Sequence, residues 1–224
     1  MEVHFLSNYS KQSKDRLLKR NFRTIEDRII ASYKDKRFYD GSRSHGYGGY
    51  KYDGRWRNFA NSIYKKYKLN SKSKVLHIYC DKGFLLYELY KINPNMKLYG
   101  FEISKYAKQH SKKEIKKNII VGKEFNFGFS KNYFDLILAF GYVYTFNLKG
   151  VIENLTNISK ISKNSYITLA SYDDQDSYAL FKSWTLLGTT ILKKNEWKKV
   201  IKHSKYTGDY EFANSKTLNL KHAK

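Results

Sequence analysis

Along most of the chain, short unbroken apolar runs alternate with stretches whose apolar residues recur at helical spacing. The runs at residues 75–79, 97–102, 119–122, 134–140 and 165–171 predict strands, and amphipathic stretches lie between most of them. Strands that alternate with helices are typical of a parallel sheet covered on both faces. The pattern therefore predicts a three-layer, doubly wound α/β domain of the Rossmann-like kind.

The carboxyl-terminal end of the chain breaks this alternation. A helical pattern at residues 195–203 is followed by two short apolar runs, residues 210–213 and 217–221. Parallel neighbours need a connection of a dozen or more residues, so two strands this close can pair with each other only as an antiparallel hairpin. We therefore expect a mostly parallel sheet of seven strands whose last strand is antiparallel.

The amino-terminal part has its own character. Residues 10–32 form a basic run that predicts one helix or a broken pair, because its apolar residues are spaced three and four apart: Leu17, Leu18, Phe22, Ile25, Ile29 and Ile30. Residues 35–56 lose this periodicity and are rich in Gly and Tyr, which excludes a helix. We predict an N-terminal helix and lid segment at residues 1–57, called the N-terminal lid below, and a second domain at residues 58–224.

Composition narrows the class of protein. The 224 residues include one Pro and one Cys, and 41% are hydrophobic, which allows a packed core and excludes collagen-like and disulfide-stapled scaffolds. Residues 136–148, which carry no acidic or basic side chain, fall short of the ~20 apolar residues of a membrane helix. Glu2 and His4 interrupt any apolar core of a secretory signal. We expect a cytoplasmic protein that binds no membrane.

The charge of the chain is strongly positive. Forty-three Lys and Arg stand against 20 Asp and Glu, a net charge of +23. The excess is spread along the chain, whereas a dedicated nucleic-acid arm would concentrate it. A polyanion surface and a general solubility charge both remain open, and nucleic acid is a possible partner that the distribution does not favour.

Two features mark the expected ligand site. Doubly wound sheets bind ligands beyond the carboxyl ends of their strands, where the strand order reverses. The first strand runs into a turn at residues 79–83, and the second ends at Glu102. A carboxylate at that place can accept both hydroxyl hydrogens of a nucleoside ribose. The alternative is that Glu102 is a solvated residue or a helix cap.

From about residue 58 to residue 221 the sequence resembles the class I S-adenosylmethionine-dependent methyltransferases. The resemblance rests on the order of the elements, on Gly83 and Glu102, and on residues 132–138, 196–197 and 206–210. The string Gly-Tyr-Gly-Gly-Tyr-x-Tyr-Asp-Gly-Arg-Trp at residues 46–56 is similar to that of a bacterial group of small methyltransferases.

The first loop departs from the pattern of the family it resembles. That pattern has an acid followed by three glycines, which let the backbone approach the amino-acid part of the cofactor. Here His77 replaces the acid, Tyr79 the first glycine and Asp81 the second, and Gly83 remains. The resemblance still implies S-adenosyl-L-methionine as the cofactor, with Glu102 on the ribose. The residues implied to bind it are Asp81, Gly83, Glu102 and Asn126.

The residues that would hold an acceptor come from the lid and from the loop after the fourth strand. Aromatic side chains supply large contact areas, so these residues fit an acceptor pocket or, equally, an aromatic latch that holds the lid to the sheet. The candidates are Tyr47, Tyr50, Tyr52, Arg55, Trp56 and Tyr144. No catalytic residue is predicted. The six histidines do not pair at metal-ligand spacing, so no metal site is predicted.

Three functions follow as alternatives. The first is methyl transfer from S-adenosylmethionine to a small-molecule or carbohydrate-like acceptor, which needs little beyond alignment of the methyl group with a lone pair. The second is a methyltransferase-like binding or partner subunit that has lost catalysis and acts on a protein partner; His77, Tyr79 and Tyr144 motivate it. The third, an RNA methyltransferase, rests on the net charge alone.

Overall fold

A computed structural model describes residues 1–6, 15–18 and 23–223 of the chain. The described strands are β1 (Arg16–Leu18), β2 (Lys74–Ile78), β3 (Lys97–Glu102), β4 (Ile119–Val121), β5 (Leu136–Ala139), β6 (Ser165–Tyr172), β7 (Leu192–Lys193), β8 (Asp209–Ala213) and β9 (Leu220–His222). The described helices are α1 (Ile25–Ser32), α2 (Lys36–Asp40), α3 (Arg57–Lys66), α4 (Phe84–Ile92), α5 (Lys105–Gln109), α6 (Lys113–Lys116), α7 (Leu148–Ile161), α8 (Gln175–Trp184) and α9 (Lys194–His203). A short 3-10 helix spans Val143–Thr145.

A seven-stranded sheet forms the centre of the molecule. Five strands lie in the order β4-β3-β2-β5-β6, and both β7 and β8 pair with β6. The strand order reverses between β2 and β5, which opens a crevice at their carboxyl ends. The predicted fold class, a doubly wound and mostly parallel seven-stranded sheet of the Rossmann-like methyltransferase kind, is confirmed.

Alternating strand residues pack on opposite faces of the sheet, as the unbroken apolar runs require. On one face Leu76 and Ile137 contact a cluster that includes Leu155 of α7 and Trp197 of α9. On the other face Val75 and Leu136, one position away in each strand, belong to a cluster with side chains of α3 and α4. Both faces are therefore covered by helices, which gives the three layers that the pattern predicts.

The predicted hairpin at the carboxyl-terminal end is wrong. Strand β8 pairs with β6 in parallel over residues 209–213, and the connection between them runs through α8, β7 and α9. Strand β9 leaves the sheet and pairs in parallel with β1. The expectation assumed that neighbouring strands must pair with each other. Residues 214–219 instead carry the chain away, and the last two strands find different partners.

The exclusion of a helix from residues 35–56 is wrong, because Lys36–Asp40 form α2. The Asp35 carboxylate caps this short helix by accepting the Arg37 amide.

The predicted helix at residues 10–32 is also wrong in part. Residues 16–18 form β1, and only Ile25–Ser32 are helical, whereas residues 10–14 and 19–22, including Phe22, lie outside the described residues. Pairing with β9 supplies hydrogen bonds that local helical periodicity does not outweigh. Helix α1 begins at a capping box, in which the Thr24 hydroxyl accepts from the Asp27 amide and the Asp27 carboxylate accepts from the Thr24 amide.

None of the described helices combines the length and the apolar character that crossing a lipid bilayer requires.

A first prediction concerns the Trp197 anchor of α9. Its indole is fully buried and donates to the Ala170 carbonyl of β6 at 2.6 Å. Trp197→Phe removes this donor and leaves a small void, so the free energy of unfolding should fall by about 1–3 kcal/mol. Urea denaturation measures it. The exposed neighbour Lys198, changed to Gln, serves as the control and should stay within about 0.5 kcal/mol of the unmodified protein; equal stability of both variants would contradict the assignment.

Candidate functional site

The loop after β2 lies at the point where the strand order reverses. Tyr79, Asp81 and Gly83 all have positive φ, at 55°, 52° and 67°. These are the positions of the three glycines in the family pattern, and such dihedrals are unfavourable for a tyrosine. The loop therefore keeps the backbone shape of a glycine-rich loop although two of its glycines have been replaced.

Gly83 has a packing role as well as a conformational one. A Cβ built on it would lie 2.5 Å from Cδ1 of Ile115 and 3.0 Å from Cδ1 of Ile119. Its amide donates to the Cys80 carbonyl at 2.8 Å, which closes the turn before α4 begins. The absent side chain therefore allows α4 to start close against α6 and β4.

Glu102 lies at the carboxyl end of β3 with no exposed surface. Its carboxylate accepts the amides of Asp81 at 2.8 Å, Ile103 at 2.9 Å and Ser104 at 3.2 Å. These bonds tie the end of β3 to the loop after β2. The place is the one that the resemblance implies for a ribose-binding carboxylate. Its burial excludes a solvated residue, whereas the bonds to Ile103 and Ser104, directly before α5, agree in part with the helix-cap alternative.

Lys34 of the N-terminal lid covers this carboxylate. Its Nζ lies 3.2 Å from Oε1 of Glu102 and 3.2 Å from Oδ1 of Asp81, and only 5% of the side chain is exposed. Burial alone would lower the pKa of the Lys34 ammonium, but the ion pairs with Glu102 and Asp81 outweigh it and raise that pKa. Lys34 therefore stays cationic, and it holds the position opposite Glu102 where ribose hydroxyls would bind.

Two lid tyrosines complete the contact with the loop. The hydroxyl of Tyr39 donates to one Asp81 oxygen at 2.9 Å, and that of Tyr47 donates to the other at 2.7 Å. The Tyr47 ring stacks on Tyr50 with 4.3 Å between the centroids. Asp81, predicted to bind the cofactor, is thus engaged by three side chains of the lid.

A second ion pair fixes the lid beside α4. Nζ of Lys82 lies 2.7 Å from the Asp40 carboxylate and donates to the Tyr50 carbonyl at 2.9 Å. The Tyr106 hydroxyl also donates to Asp40, at 2.7 Å. The lid is therefore bonded to the sheet domain through the half-buried Asp40 as well as through Lys34.

Two adjoining cavities remain between the lid and the sheet. The smaller, of about 170 Å³, reaches from Lys34 and Asp81 to the loop after β5 at Gly141. The larger, of about 460 Å³, borders His77, and both share walls at Tyr79 and Asp81. Burial lowers the pKa of His77 to about 4, and neither ring nitrogen has a hydrogen-bond partner among the described residues. His77 is therefore a neutral side chain beside the larger cavity.

The structure brings together most of the predicted acceptor residues. Tyr47 and Tyr144 line the smaller cavity. Tyr47 also lines the larger cavity, together with Tyr50, Arg55 and Trp56. Tyr50 is buried and its hydroxyl accepts from the Trp56 indole at 3.1 Å, so the latch interpretation also describes it well.

Tyr52 and Asn126 lie elsewhere. The Tyr52 hydroxyl donates to Glu88 of α4 at 2.6 Å, and neither of the two cavities includes it in its walls. Asn126 is exposed, accepts the Gly128 amide at 2.8 Å, and borders a separate cavity with Phe101 and Gly122. The structure thus groups Asp81, Gly83 and Glu102 around one loop and sets Asn126 apart from them.

The sequence did not single out Lys34, Tyr39 or Asp40. Each makes its decisive contact with a residue at least 40 positions away, such as Lys34 with Glu102. Neither spacing nor local periodicity signals a pairing over such a distance. One weak signal is present, because Lys34 and Asp40 flank the point where helical periodicity gives way to the Gly-Tyr segment.

The sheet order, the left-handed loop after β2 and the acid that ends β3 define a class I methyltransferase fold, whose cofactor is S-adenosylmethionine. The profile of a family described as the methyltransferase domain matches residues 69–214. The chain belongs to this methyltransferase-domain family. No curated protein gave a match.

Solved structures are similar to this chain at low sequence identity, and the first of the three named here shares its fold. A provisionally assigned methyltransferase of Bacillus halodurans C-125 is 12% identical, with a TM-score of 0.50 over 65% of this chain and 67% of that one. The YcgJ protein of Bacillus subtilis is 12% identical, with a TM-score of 0.49 over 65% and 66%. A chain from the complex of the Haloferax volcanii Trm112 methyltransferase activator with its methyltransferase is 14% identical, with a TM-score of 0.47 over 68% and 72%.

The residues present fit S-adenosylmethionine on one condition. Glu102 has the position and the oxygens for ribose hydroxyls, and the loop backbone at Tyr79, Asp81 and Gly83 retains the left-handed turns of a cofactor loop. The Lys34 ammonium lies on the same carboxylate. Glu102 can therefore serve the ribose only when the Lys34 side chain moves away.

A second prediction concerns the stability that Lys34 provides. Lys34→Met keeps the length of the side chain but leaves Glu102 and Asp81 without their cation, so the free energy of unfolding should fall by about 3 kcal/mol at pH 7. Burial raises the pKa of Glu102, and loss of Lys34 should raise it further. In the folded variant the Glu102 carboxylate then binds a proton more tightly than it does in the unfolded chain, so the stability of the variant falls as pH rises. The deficit should be largest near pH 7 and smaller near pH 4.

Denaturation with urea at the two pH values measures this difference. Lys36→Met is the matched control, because Lys36 is exposed and lies two positions along the same lid. It should change stability by less than about 0.5 kcal/mol at either pH. A Lys34→Met deficit that is the same at both pH values would show that Lys34 acts through packing rather than through Glu102.

Proposed function

We propose that the protein transfers the methyl group of S-adenosylmethionine to a small-molecule or carbohydrate-like acceptor. We also propose that it belongs to the group of methyltransferases marked by the Gly-Tyr string at residues 46–56. The observation that carries the proposal is Glu102, held by three backbone amides at the carboxyl end of β3 beside a loop of left-handed turns. That combination is built at the sheet's switch point, where a nucleoside ligand binds.

Each residue has a definite part in this function. Glu102 accepts the ribose hydroxyls, and the left-handed loop at Tyr79 and Asp81 provides the backbone beside the amino-acid part of the cofactor. The bound cofactor supplies an electrophilic methyl group on sulfur. The smaller cavity, between this loop and Gly141, then holds the acceptor in line with that methyl group.

The acceptor cavity offers alignment and exclusion of water rather than an obvious base. Aromatic rings of Phe38, Tyr47, Tyr79 and Tyr144 form much of its wall. Burial raises the pKa of Tyr144 to about 12, so its hydroxyl remains protonated at neutral pH. An acceptor that is already nucleophilic needs only this positioning, and no side chain is assigned as a general base.

A second candidate function is a methyltransferase-like binding or partner subunit. The observation that favours it is the occupation of Glu102 and Asp81 by Lys34, Tyr39 and Tyr47. If these contacts are permanent, the lid fills the ribose position and the protein presents a fixed surface. The two candidates differ in whether the lid can leave.

A third prediction separates them. We expect S-adenosylhomocysteine, the demethylated product, to bind the unmodified protein. Lys34→Met should bind it more tightly, because the ion pair between Lys34 and Glu102 need not first break. The affinity of this variant should rise on the order of tenfold for each 1.4 kcal/mol by which the Lys34–Glu102 ion pair stabilises the closed lid. Glu102→Gln should weaken binding by about 1.5–3 kcal/mol, the range of a hydrogen bond to a charged group. Calorimetric titration at pH 7.5 measures all three, after thermal melts have shown that each variant is folded.

Lys36→Met again serves as the matched control and should bind as the unmodified protein does. If neither the unmodified protein nor Lys34→Met binds S-adenosylhomocysteine while both melt cooperatively, the methyl-transfer proposal fails and the partner-subunit function takes its place. Tight binding that Lys34→Met weakens would show that Lys34 is a ligand of the cofactor rather than its competitor.

A further inference from the structure

The smaller cavity has an unusual balance of charge. Of the described residues that line it, Arg23, Lys34 and Arg43 are cationic and Asp81 alone is acidic. The Asp81 carboxylate is already engaged by Lys34 and by two tyrosine hydroxyls. Asp27 lies close enough to Arg23 to raise its pKa. Arg43 is therefore the cation of this cavity for which the described residues supply no carboxylate.

Arg43 contributes positive charge to both cavities, since it lines each of them. Its guanidinium donates to the Gly46 carbonyl, and among the described residues no Asp or Glu forms an ion pair with it. The sequence of residues 7–14 and 19–22 contains no Asp or Glu that would supply one. Arg43 keeps an exposed surface at the cavity mouth, so a ligand can reach it from solvent.

Other arginines add to the positive potential. Burial lowers the pKa of the Arg43 guanidinium, and nearby Arg16 lowers it further. Burial lowers the pKa of Arg23 to about 10, with Arg43 as the next cause. Like charges gathered in this way are unfavourable unless an anion joins them, which is why clustered arginines commonly mark carboxylate or phosphate sites.

Two neutral donors line the same cavity. The indole nitrogen of Trp184 is buried and has no hydrogen-bond acceptor among the residues that the structure describes. The Tyr144 hydroxyl has no hydrogen bond within that part of the chain either, and it lies 3.3 Å from where a Cβ on Gly141 would be. A buried donor without a partner, such as the Trp184 indole, costs about 1–3 kcal/mol, which a ligand oxygen would recover.

We propose that the smaller cavity is an anion-binding subsite, and that the methyl acceptor is a small molecule carrying a carboxylate or phosphate that binds Arg43. The Trp184 indole and the Tyr144 hydroxyl donate to oxygens of the same ligand, and the aromatic wall holds its body. A volume of about 170 Å³ suits a single ring, since a cavity of ~150 Å³ holds benzene. The inference rests on the proposed methyl transfer for the role of the ligand, but not for its binding.

Benzoate, phenyl phosphate and uncharged benzamide test the proposal, with affinities measured by calorimetry and by saturation-transfer NMR. The unmodified protein should prefer both anions to benzamide by about tenfold or more, as expected for a hydrogen bond to a charged group. Arg43→Gln should remove this preference and leave the benzamide affinity unchanged. Arg43→Lys, which keeps the charge and loses the guanidinium fork, should give an intermediate preference.

Arg37→Gln is the matched control, because Arg37 is exposed and pairs with Asp35 outside the cavity. It should bind all three probes as the unmodified protein does. Benzoate that binds no better than benzamide, or an anion preference that survives Arg43→Gln, would overturn the proposal. The proposal would also be overturned if Arg43→Gln lost affinity for a short single-stranded RNA and kept its affinity for benzoate. The arginines would then belong to a nucleic-acid surface.

Measuring the binding of S-adenosylhomocysteine separates a failure of the anion subsite from a failure of the proposed methyl transfer. Affinity for S-adenosylhomocysteine should be the same in Arg43→Gln as in the unmodified protein. A loss of that affinity would assign Arg43 to the carboxylate of the cofactor and contradict the acceptor subsite. Anion binding without any cofactor binding would leave the subsite standing and refute methyl transfer.

Discussion

The ion pair between Lys34 and Glu102 joins the N-terminal lid to the sheet, and the rest of the site depends on it. A buried carboxylate is costly unless cations or donors face it. Glu102 has three backbone amides on the side of the sheet and the Lys34 ammonium on the side of the lid. In the proposed function a cofactor ribose uses the same oxygens, so the lid and the cofactor would compete for one carboxylate.

The lid also contacts the side chains that stand in place of two glycines in the loop after β2. The backbone at Tyr79 and Asp81 remains left-handed, while the side chains form contacts that a glycine could not. Asp81 binds the lid through Lys34, Tyr39 and Tyr47, and the ring of Tyr79 lies 4.7 Å from the Lys34 ammonium. The side chains that replace the two glycines thus hold the lid against the loop.

The sequence was informative where structure is local and weak where it is not. Unbroken apolar runs predicted β2 to β6, and the end of β3 at Glu102 pointed to the candidate site, because both signals lie within a few residues. The predicted pairing of the last two strands was wrong because β9 pairs with β1, about 200 positions away in the chain, rather than with β8. The sequence did not predict the buried position of Lys34 for the same reason. Its partner is 68 positions distant, and an isolated lysine has no pattern that marks it as buried.

The most direct test of this account is the chemical reactivity of Lys34. An amine-acylating reagent followed by mass spectrometry measures it, with exposed Lys36 in the same digest as the internal reference. In the free protein Lys34 should react far more slowly than Lys36, because its ammonium is buried between two carboxylates. With saturating S-adenosylhomocysteine the reactivity of Lys34 should rise toward that of Lys36, since the ribose displaces it from Glu102. Lys34 that stays protected while the ligand is bound would contradict the account.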